Sequence, residues 1–253
     1  MILLVDIGNT SIKLALSNPR NNKINKSVSL LTHSKKTLSF IKSYLKKNNI
    51  KLIFATSVVP KIFKIIKSFT YKQNIKLYEF KDKKITKSIK INVKKKSQVG
   101  SDRIVNSVGA LSCYNKNCII IDFGTTTTFD IVQKNNIYQG GVIAPGIELA
   151  LKALNRFTAK LPLVKITKQK NVIGKDTIAA IKSGIFIGYT CLIDGIIDKI
   201  QKQSKKKYLI ILTGGYSKLF KKSLKYKTIV NQDITLYGLV KTIKQNREIF
   251  YEF

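Results

Sequence analysis

Two aspartates in this sequence stand in nearly the same setting. Asp6 closes the apolar run from Ile2 to Val5 and is followed by Gly8 and Thr10. Asp122 closes the run Ile119–Ile121 and is followed by Gly124 and Thr125. A carboxylate at a strand end, a glycine turn, and hydroxyl and N–H donors suit a phosphate and its cation. Backbone amides from Gly8 to Thr10, with the Thr10 hydroxyl, are placed to hold terminal phosphate oxygens, and Lys13 adds positive charge or faces solvent. Thr125 to Thr128 are expected to set four hydroxyls beside exposed turn amides, with Gly124 letting the chain reverse. Each aspartate has a plainer alternative, since Asp often bonds its own backbone in a turn. The recurrence of the pattern predicts two related half-molecules facing a shared cleft.

A third acid, Asp102, lies in Val99–Asn106, VGSDRIVN. A carboxylate at a helix start can accept a proton from a substrate hydroxyl as a phosphorus–oxygen bond forms. Either Ser101 or Asp102 can also simply cap the helix, and from the residues alone that is the simpler role for Asp102. Arg103 either clamps an anionic substrate or is a solvated first-turn arginine.

Other chemistries find little support. There is no G-x-x-x-x-G-K-[ST] and no G-x-G-x-x-G opening a helix, which disfavours P-loop and Rossmann readings. With one histidine, His33, histidine-based triads and zinc sites are poorly supported. Cys113, Cys118 and Cys191 form no C-x-x-C pair and read as reduced thiols of a cytoplasmic protein. No uninterrupted apolar run reaches the roughly 18–20 residues of a membrane span, and nothing at Met1 resembles a signal peptide. The net charge of +34 is large, but lysine is spread over nearly every polar segment rather than gathered in a patch. Solvated lysine faces are therefore expected, and neither nucleic acid nor membrane is expected as a partner. A hydrophobic content of 44% over 253 residues is ordinary for a protein that buries a good core.

The elements that must position these residues are mixed strands and helices. Helical spacing of Leu38, Ile41 and Leu45 predicts a helix over 35–47, and Pro60 opens another reaching about Tyr71. Leu52–Val59 and Ile75–Phe80 read as strands. Asn18–Asn25 reads as a turn, and Lys81–Lys96 as basic loop or edge strand. Asn135-Asn136 marks a hairpin turn, leading to a strand over 137–143 that ends in Gly140-Gly141. Helices are expected over about 147–154, 176–201, 216–224 and 234–244, and a strand over 209–212 ending in Gly214-Gly215. The helix over 176–201 is apolar around much of its circumference, which implies a central core element or a subunit interface. Residues 157–172 look irregular. The expected fold class is α/β.

Seven motifs in order, DIGNTSIK at 6–13, VGSDRIVN at 99–106, DFGTTTTFD at 122–130, GGVIAPG at 140–146, TAKLPLV at 158–164, GKDT at 174–177 and TGG at 213–215, resemble type III pantothenate kinases. That family belongs to the superfamily of acetate and sugar kinases and actin. The resemblance implies two duplicated actin-like (ribonuclease H-like) α/β lobes with a cleft between them, assigned to 1–112 and to 113–253 with a dimerisation helix. It implies ATP-dependent phosphorylation of pantothenate to 4′-phosphopantothenate, the first step of coenzyme A biosynthesis, in a cytoplasmic homodimer. It implies Asp102 as catalytic base, with Gly100, Ser101, Arg103 and Thr177 contacting pantothenate, Thr177 across the dimer. ATP contacts would come from Asp6, Ile7, Gly8, Asn9, Thr10, Ser11, Ile12, Lys13 and Thr125, with Mg²⁺ near Asp6. Asp122 resembles the ligand of a monovalent cation, K⁺ or NH₄⁺. Family members usually carry Ala where Ser101 and Thr126 stand, many have Pro at Lys96, and many have a substrate-contacting Tyr at Val93. The loop before Asp102 is therefore expected to be less rigid. An alternative is a non-catalytic transcription accessory factor of the same fold, which the retention of Asp6, Asp102, Arg103 and Asp122 argues against.

Overall fold

The computed structural model describes residues 1–18, 23–85 and 89–251. The centre of the expected turn at 18–25 lies outside the described residues, as does part of the basic stretch over 81–96.

Two sheets carry the same strand plan. The first has β1 (Ile2–Ile7), β2 (Ser11–Ser17), β3 (Val28–Leu31), β4 (Leu52–Ser57) and β5 (Lys76–Glu79), in the order β3-β2-β1-β4-β5. The second contains β6 (Lys90–Ile91), β7 (Cys118–Phe123), β8 (Thr126–Gln133), β9 (Ile137–Pro145), β10 (Leu209–Gly214) and β11 (Thr228–Val230). Its order is β11-β10-β7-β8-β9-β6. Without the short β6, it repeats the first, with β7 in the place of β1 and β10 in the place of β4. The pairings repeat too, β1–β4 and β4–β5 being parallel, as are β7–β10 and β10–β11. The two related halves expected from the two aspartate turns, and the duplicated actin-like α/β lobes that the resemblance implies, are thus present in the backbone itself.

The apolar runs form the central strands because helices cover them. All six residues of β4 are buried, and five of six in β7. In the first unit α1 (Lys35–Lys47) and α2 (Pro60–Lys72) bury Ile41, Leu45 and Ile66 against one face of the sheet. Alongside β4 and β1 lie α3 (Ser101–Tyr114) and α7 (Ile234–Gln245). In the second unit α4 (Ile147–Phe157), α5 (Thr177–Ser204) and the single turn α6 (Ser217–Phe220) enclose Ile119, Ile121, Phe123 and Phe129. The last helical turn, α8 (Arg247–Phe250), sets Phe250 edge-on to Phe54 at 4.8 Å.

The chain divides into two compact units, 1–115 with 132–140 and 233–253, and 116–131 with 141–232. The C-terminal segment carrying α7 therefore groups with the first unit, where the sequence assignment ran the second lobe from 113 to 253. Packing explains the return. A Cβ on Gly109 of α3 would stand 2.0 Å from the Ile234 carbonyl, and one on Gly238 of α7 would stand 2.1 Å from that of Val105. The buried Thr235 hydroxyl adds a 2.7 Å bond to Asn106 Oδ1.

Several expectations need correction. The helix expected over 216–224 ends at Phe220, because the following chain is drawn to α5, where the Lys225 N–H donates to Asp194 and the Tyr226 hydroxyl to Asp198. Gly140 and Gly141 lie inside β9 rather than ending it, Gly140 with φ of +99°. Only Thr125 of the four threonines is in the turn, since Thr126–Thr128 already belong to β8 and Thr127 is buried. Gly124 is not among the glycines with positive φ, and a Cβ there would meet only ordinary contacts. By length and composition α5 is apolar enough to cross a membrane, although Lys182 and Asp194 leave no uninterrupted apolar run of that length. Its Ile181, Ile185, Phe186, Tyr189, Ile193 and Ile197 are core residues of the second unit.

Candidate active site

The first turn is a tight hairpin end. Gly8 N–H donates to Ser11 O at 3.0 Å, and a Cβ on Gly8 would stand 3.1 Å from that same oxygen. Buried Thr32 holds the turn from outside, its hydroxyl donating to Gly8 O at 2.7 Å and its N–H to Thr10 O at 3.0 Å. Asn9 and Thr10 are exposed at the tip, with Ser11 half-buried beside them. Ile7 and Ile12 are in the core, so toward a ligand they offer only backbone. Asp6, half-buried, is the register partner of Lys13 on β2 and of Thr56 on β4.

Thr56 links this turn to the helix of Asp102. It is fully buried, and its hydroxyl donates to Ser101 Oγ at 3.1 Å. The start of α3 is thereby hung on the carboxyl end of β4, the edge on which α/β proteins place ligands. The expected capping by Ser101 or Asp102 is absent. Both are inside the helix, Gly100 takes the N-cap position, and Ser101 spends its hydroxyl on β4. Asp102 Oδ1 instead accepts the Arg103 N–H at 2.9 Å. A Cβ on Gly100 would stand 2.5 Å from that oxygen, so the folded-back carboxylate requires glycine there.

Burial raises the Asp102 carboxyl above its usual range, outweighing the Arg103 N–H bond and the Arg103 charge that lower it. A carboxylate so raised is a stronger base than one in water. Arg103 is not merely solvated, since its guanidinium lies 6.0 Å from the ring centre of buried Tyr138. Gln139 beside Tyr138 bonds Asn92, and Gly140 approaches Val93. Asn92 and Val93, ahead of Asp102, thus rest against the start of β9.

In the second unit Asp122 pairs in register with buried Thr213 of β10. Glycine is demanded here not within the turn but at two places pressed against it. Gly214, with φ of +80°, would put a Cβ 2.5 Å from Asp122 Oδ1 and 2.6 Å from Phe123 O. Gly146, just before α4, would put one 2.1 Å from Thr125 O and 2.8 Å from Gly124 O. The Gly215 N–H closes onto Phe123 O at 3.1 Å. Gly214 thus leaves room beside the Asp122 carboxylate and the Phe123 carbonyl, and Gly146 beside the carbonyls of Gly124 and Thr125. Oxygen donors of this kind suit a cation, and a single carboxylate with substrate phosphates suits Mg²⁺ at Asp6. Among the described residues no group of three or more His, Cys, Asp or Glu is placed to cage a metal. Thr177 is exposed as the first residue of α5, whose N-cap Asp176 accepts the Ala179 N–H at 2.8 Å.

The structure therefore joins Asp6–Lys13 with Gly100–Arg103 in one unit and sets Asp122 and Thr125 at the matching turn of the other. Sequence reasoning missed Thr56 and Tyr138. Neither carries a motif signal, because each acts through a neighbour distant in sequence.

A family model described as type III pantothenate kinase matches residues 2–199. A type III pantothenate kinase of Pelagibacter ubique (strain HTCC1062) is 45% identical over 247 residues, covering 95% of this chain and 98% of that protein. One of Sulfurihydrogenibium sp. (strain YO3AOP1) is 40% identical over 250 residues, covering 94% and 98%. Among solved structures, a Baf family transcriptional activator from Campylobacter jejuni superposes with a TM-score of 0.64 at 22% identity, covering 97% of this chain and 99% of that one. A 2-dehydro-3-deoxygalactonokinase from Sinorhizobium meliloti gives 0.60 at 10% identity, covering 97% and 99%. At those identities the two structures speak for the fold alone. The sequence matches, spanning nearly the whole length of both partners, place this chain in the type III pantothenate kinase family.

Proposed function

We propose that this protein is a cytoplasmic enzyme that transfers the γ-phosphoryl group of ATP to the terminal hydroxyl of pantothenate. The product is 4′-phosphopantothenate, the entry to coenzyme A biosynthesis. One observation carries the reading: Asp102, its carboxyl raised by burial, is fastened through Ser101 and Thr56 to the strand edge that also holds Asp6.

Asp102 accepts the hydroxyl proton as the substrate oxygen bonds to the γ-phosphorus. The bond from that phosphorus to the bridging oxygen breaks, and ADP leaves. Gly100 and Ser101 line the pantothenate site, and Arg103 meets its carboxylate. Backbone amides of Gly8–Thr10, with Lys13, hold the ATP phosphates, and Asp6 would hold Mg²⁺ directly or through water. Asp122 would hold K⁺ or NH₄⁺, which neutralises phosphate charge, and Thr125 contacts the nucleotide.

A homodimer along α5 completes the reading. Thr177, Ala180, Gly184, Gly188, Cys191 and Gly195 form an exposed stripe at helical spacing, and a Cβ on any of those three glycines would meet nothing within 4 Å. Beside the stripe, Val172, Ile173 and Ile178 are exposed apolar residues. A second copy covering this surface explains the apolar excess of α5 and brings Thr177 to a neighbouring substrate site.

The test is to incubate the purified protein with ATP and pantothenate in potassium or sodium salts and detect 4′-phosphopantothenate by mass spectrometry. Product is expected in potassium and little in sodium. No product in either sinks the activity, and equal rates in both remove the cation role of Asp122.

A further inference from the structure

Lys13 faces Asp6 across the first hairpin, as its register partner. Its ammonium is engaged. Nζ stands 3.7 Å from Asp233 Oδ1, and the Lys13 side chain is only 20% exposed. The same Asp233 oxygen accepts the Ser27 hydroxyl at 2.8 Å. Asp233 occupies the N-cap position of α7, yet its side chain makes no capping bond to that helix. An aspartate there ordinarily accepts a first-turn amide, to the benefit of the helix by about 1 kcal/mol. Here its carboxylate turns to Ser27 and Lys13 instead.

The placement of Asp233 is fixed from two sides. The next residue, Ile234, presses its carbonyl against Gly109 of α3, the helix that begins with Ser101 and Asp102. Ser27 directly precedes β3, which pairs with β2 and so with the strand of Lys13. The packing that seats the Asp102 helix therefore also sets the carboxylate that meets Lys13.

We propose that Asp233 is a positioning residue that holds the Lys13 ammonium beside the nucleotide loop before ATP arrives. This rests on the assignment of Asp6–Lys13 as that loop. A lysine side chain has considerable rotamer freedom to lose when it grips a phosphate. An ion pair that restricts it beforehand lowers that cost at the moment of binding. Part-exposed pairs are weak, and an ammonium has three donors, so Lys13 can keep its contact with Asp233 on one side while it turns other N–H groups to phosphate oxygens, and the ordering carries over into the complex.

The experiment is a double-mutant cycle on the full-length enzyme, with wild type, Asp233→Asn, Lys13→Met and the double variant, and with Asp233→Glu as the conservative replacement. Lys13→Met is expected to raise KM for ATP by about tenfold or more, as loss of a charged hydrogen bond does. Asp233→Asn is expected to raise it by about two- to fivefold, the span of a part-exposed pair, with kcat and KM for pantothenate changing less. In the Lys13→Met background Asp233→Asn should add nothing, and Asp233→Glu should recover most of the ATP affinity. A purely structural Asp233 would lower the thermal midpoint and shift both KM values, with or without Lys13, and that pattern overturns the proposal. So does an Asp233→Asn enzyme with unchanged KM for ATP. If Lys13→Met leaves KM for ATP unchanged, the loop assignment fails and takes the proposal with it, whereas an effect of Lys13→Met without one of Asp233→Asn sinks the proposal alone.

Discussion

Replacing Gly109 by alanine tests the joint that carries Asp102. In an open helix this change stabilises by about 1 kcal/mol, because glycine is the poorer helix former. At this position the new Cβ would stand 2.0 Å from the Ile234 carbonyl, where ordinary contact begins at 3.4 Å, a shortfall of 1.4 Å. The obstacle is backbone and cannot rotate away, so α3 and α7 must separate. Overpacking of this kind costs about 1–3 kcal/mol or more. Separation also strains the buried Thr235–Asn106 hydrogen bond, worth about 1 kcal/mol. Set against the propensity gain, the expected net loss is about 1–3 kcal/mol. For a chain of this size that lowers the thermal midpoint by about 2–12 °C. Since α3 bears Asp102 in its first turn, a shift near 1 Å should also cut kcat in the folded enzyme, by as much as about 10². Thermal unfolding followed by circular dichroism, with kcat measured well below the transition, reads both effects. Ser112→Ala, exposed on the same helix, is the control and should move stability by no more than about 0.5 kcal/mol. A Gly109→Ala enzyme as stable and as fast as wild type would refute the close crossing of α3 and α7.

Asp102→Asn should lower kcat by about 10²–10⁴ without lowering the thermal midpoint at neutral pH, measured on the same preparation. The sign follows from its raised carboxyl: the stability that Asp102 contributes is present below its ordinary value of 3.8 and is lost as pH rises through the higher folded value. Asparagine has no such charge to bury. In the wild type the acid limb of kcat/KM, followed from pH 4 to 8, should accordingly fall at a pH above the usual carboxylate range, and a limb at the ordinary value would count against Asp102 as the base. Gly214→Ala strains a backbone at φ of +80° and collides with Asp122 Oδ1. The potassium concentration for half-maximal rate should rise by about tenfold or more, in line with losing a well-placed charged ligand, and an unchanged value would separate Asp122 from the cation. Gly188→Glu places a charge on the exposed stripe of α5, where its Cβ meets nothing in the protomer. Light scattering should then give the 28.6 kDa monomer mass, and a persisting dimer would move the interface elsewhere.

Much of this protein can be read without coordinates, where the determinants are local. The helix expected over 35–47 has those bounds, and the one begun by Pro60 ends at Lys72, since periodicity and proline act over neighbouring residues. The duplicated Asp-x-Gly turns announced the duplicated sheet, because a strand end, its turn and the returning strand are contiguous. What the sequence left open depends on contacts between distant segments. Glycine was expected to matter at 124, but the pressure falls on 146 and 214, which come from other elements to lie against that turn. Capping by Ser101 and Asp102 was plausible from local statistics, until Thr56, 45 residues away, claimed the Ser101 hydroxyl. The Asp102 carboxyl was then left to fold back over Gly100 into partial burial. The return of the C-terminal helix to the first unit, and with it the meeting of Asp233 and Lys13, needed the close packing of α3 on α7 through Gly109 and Gly238. Hydrophobic pattern sets which face of a helix is buried, but only the folded chain decides against which partner.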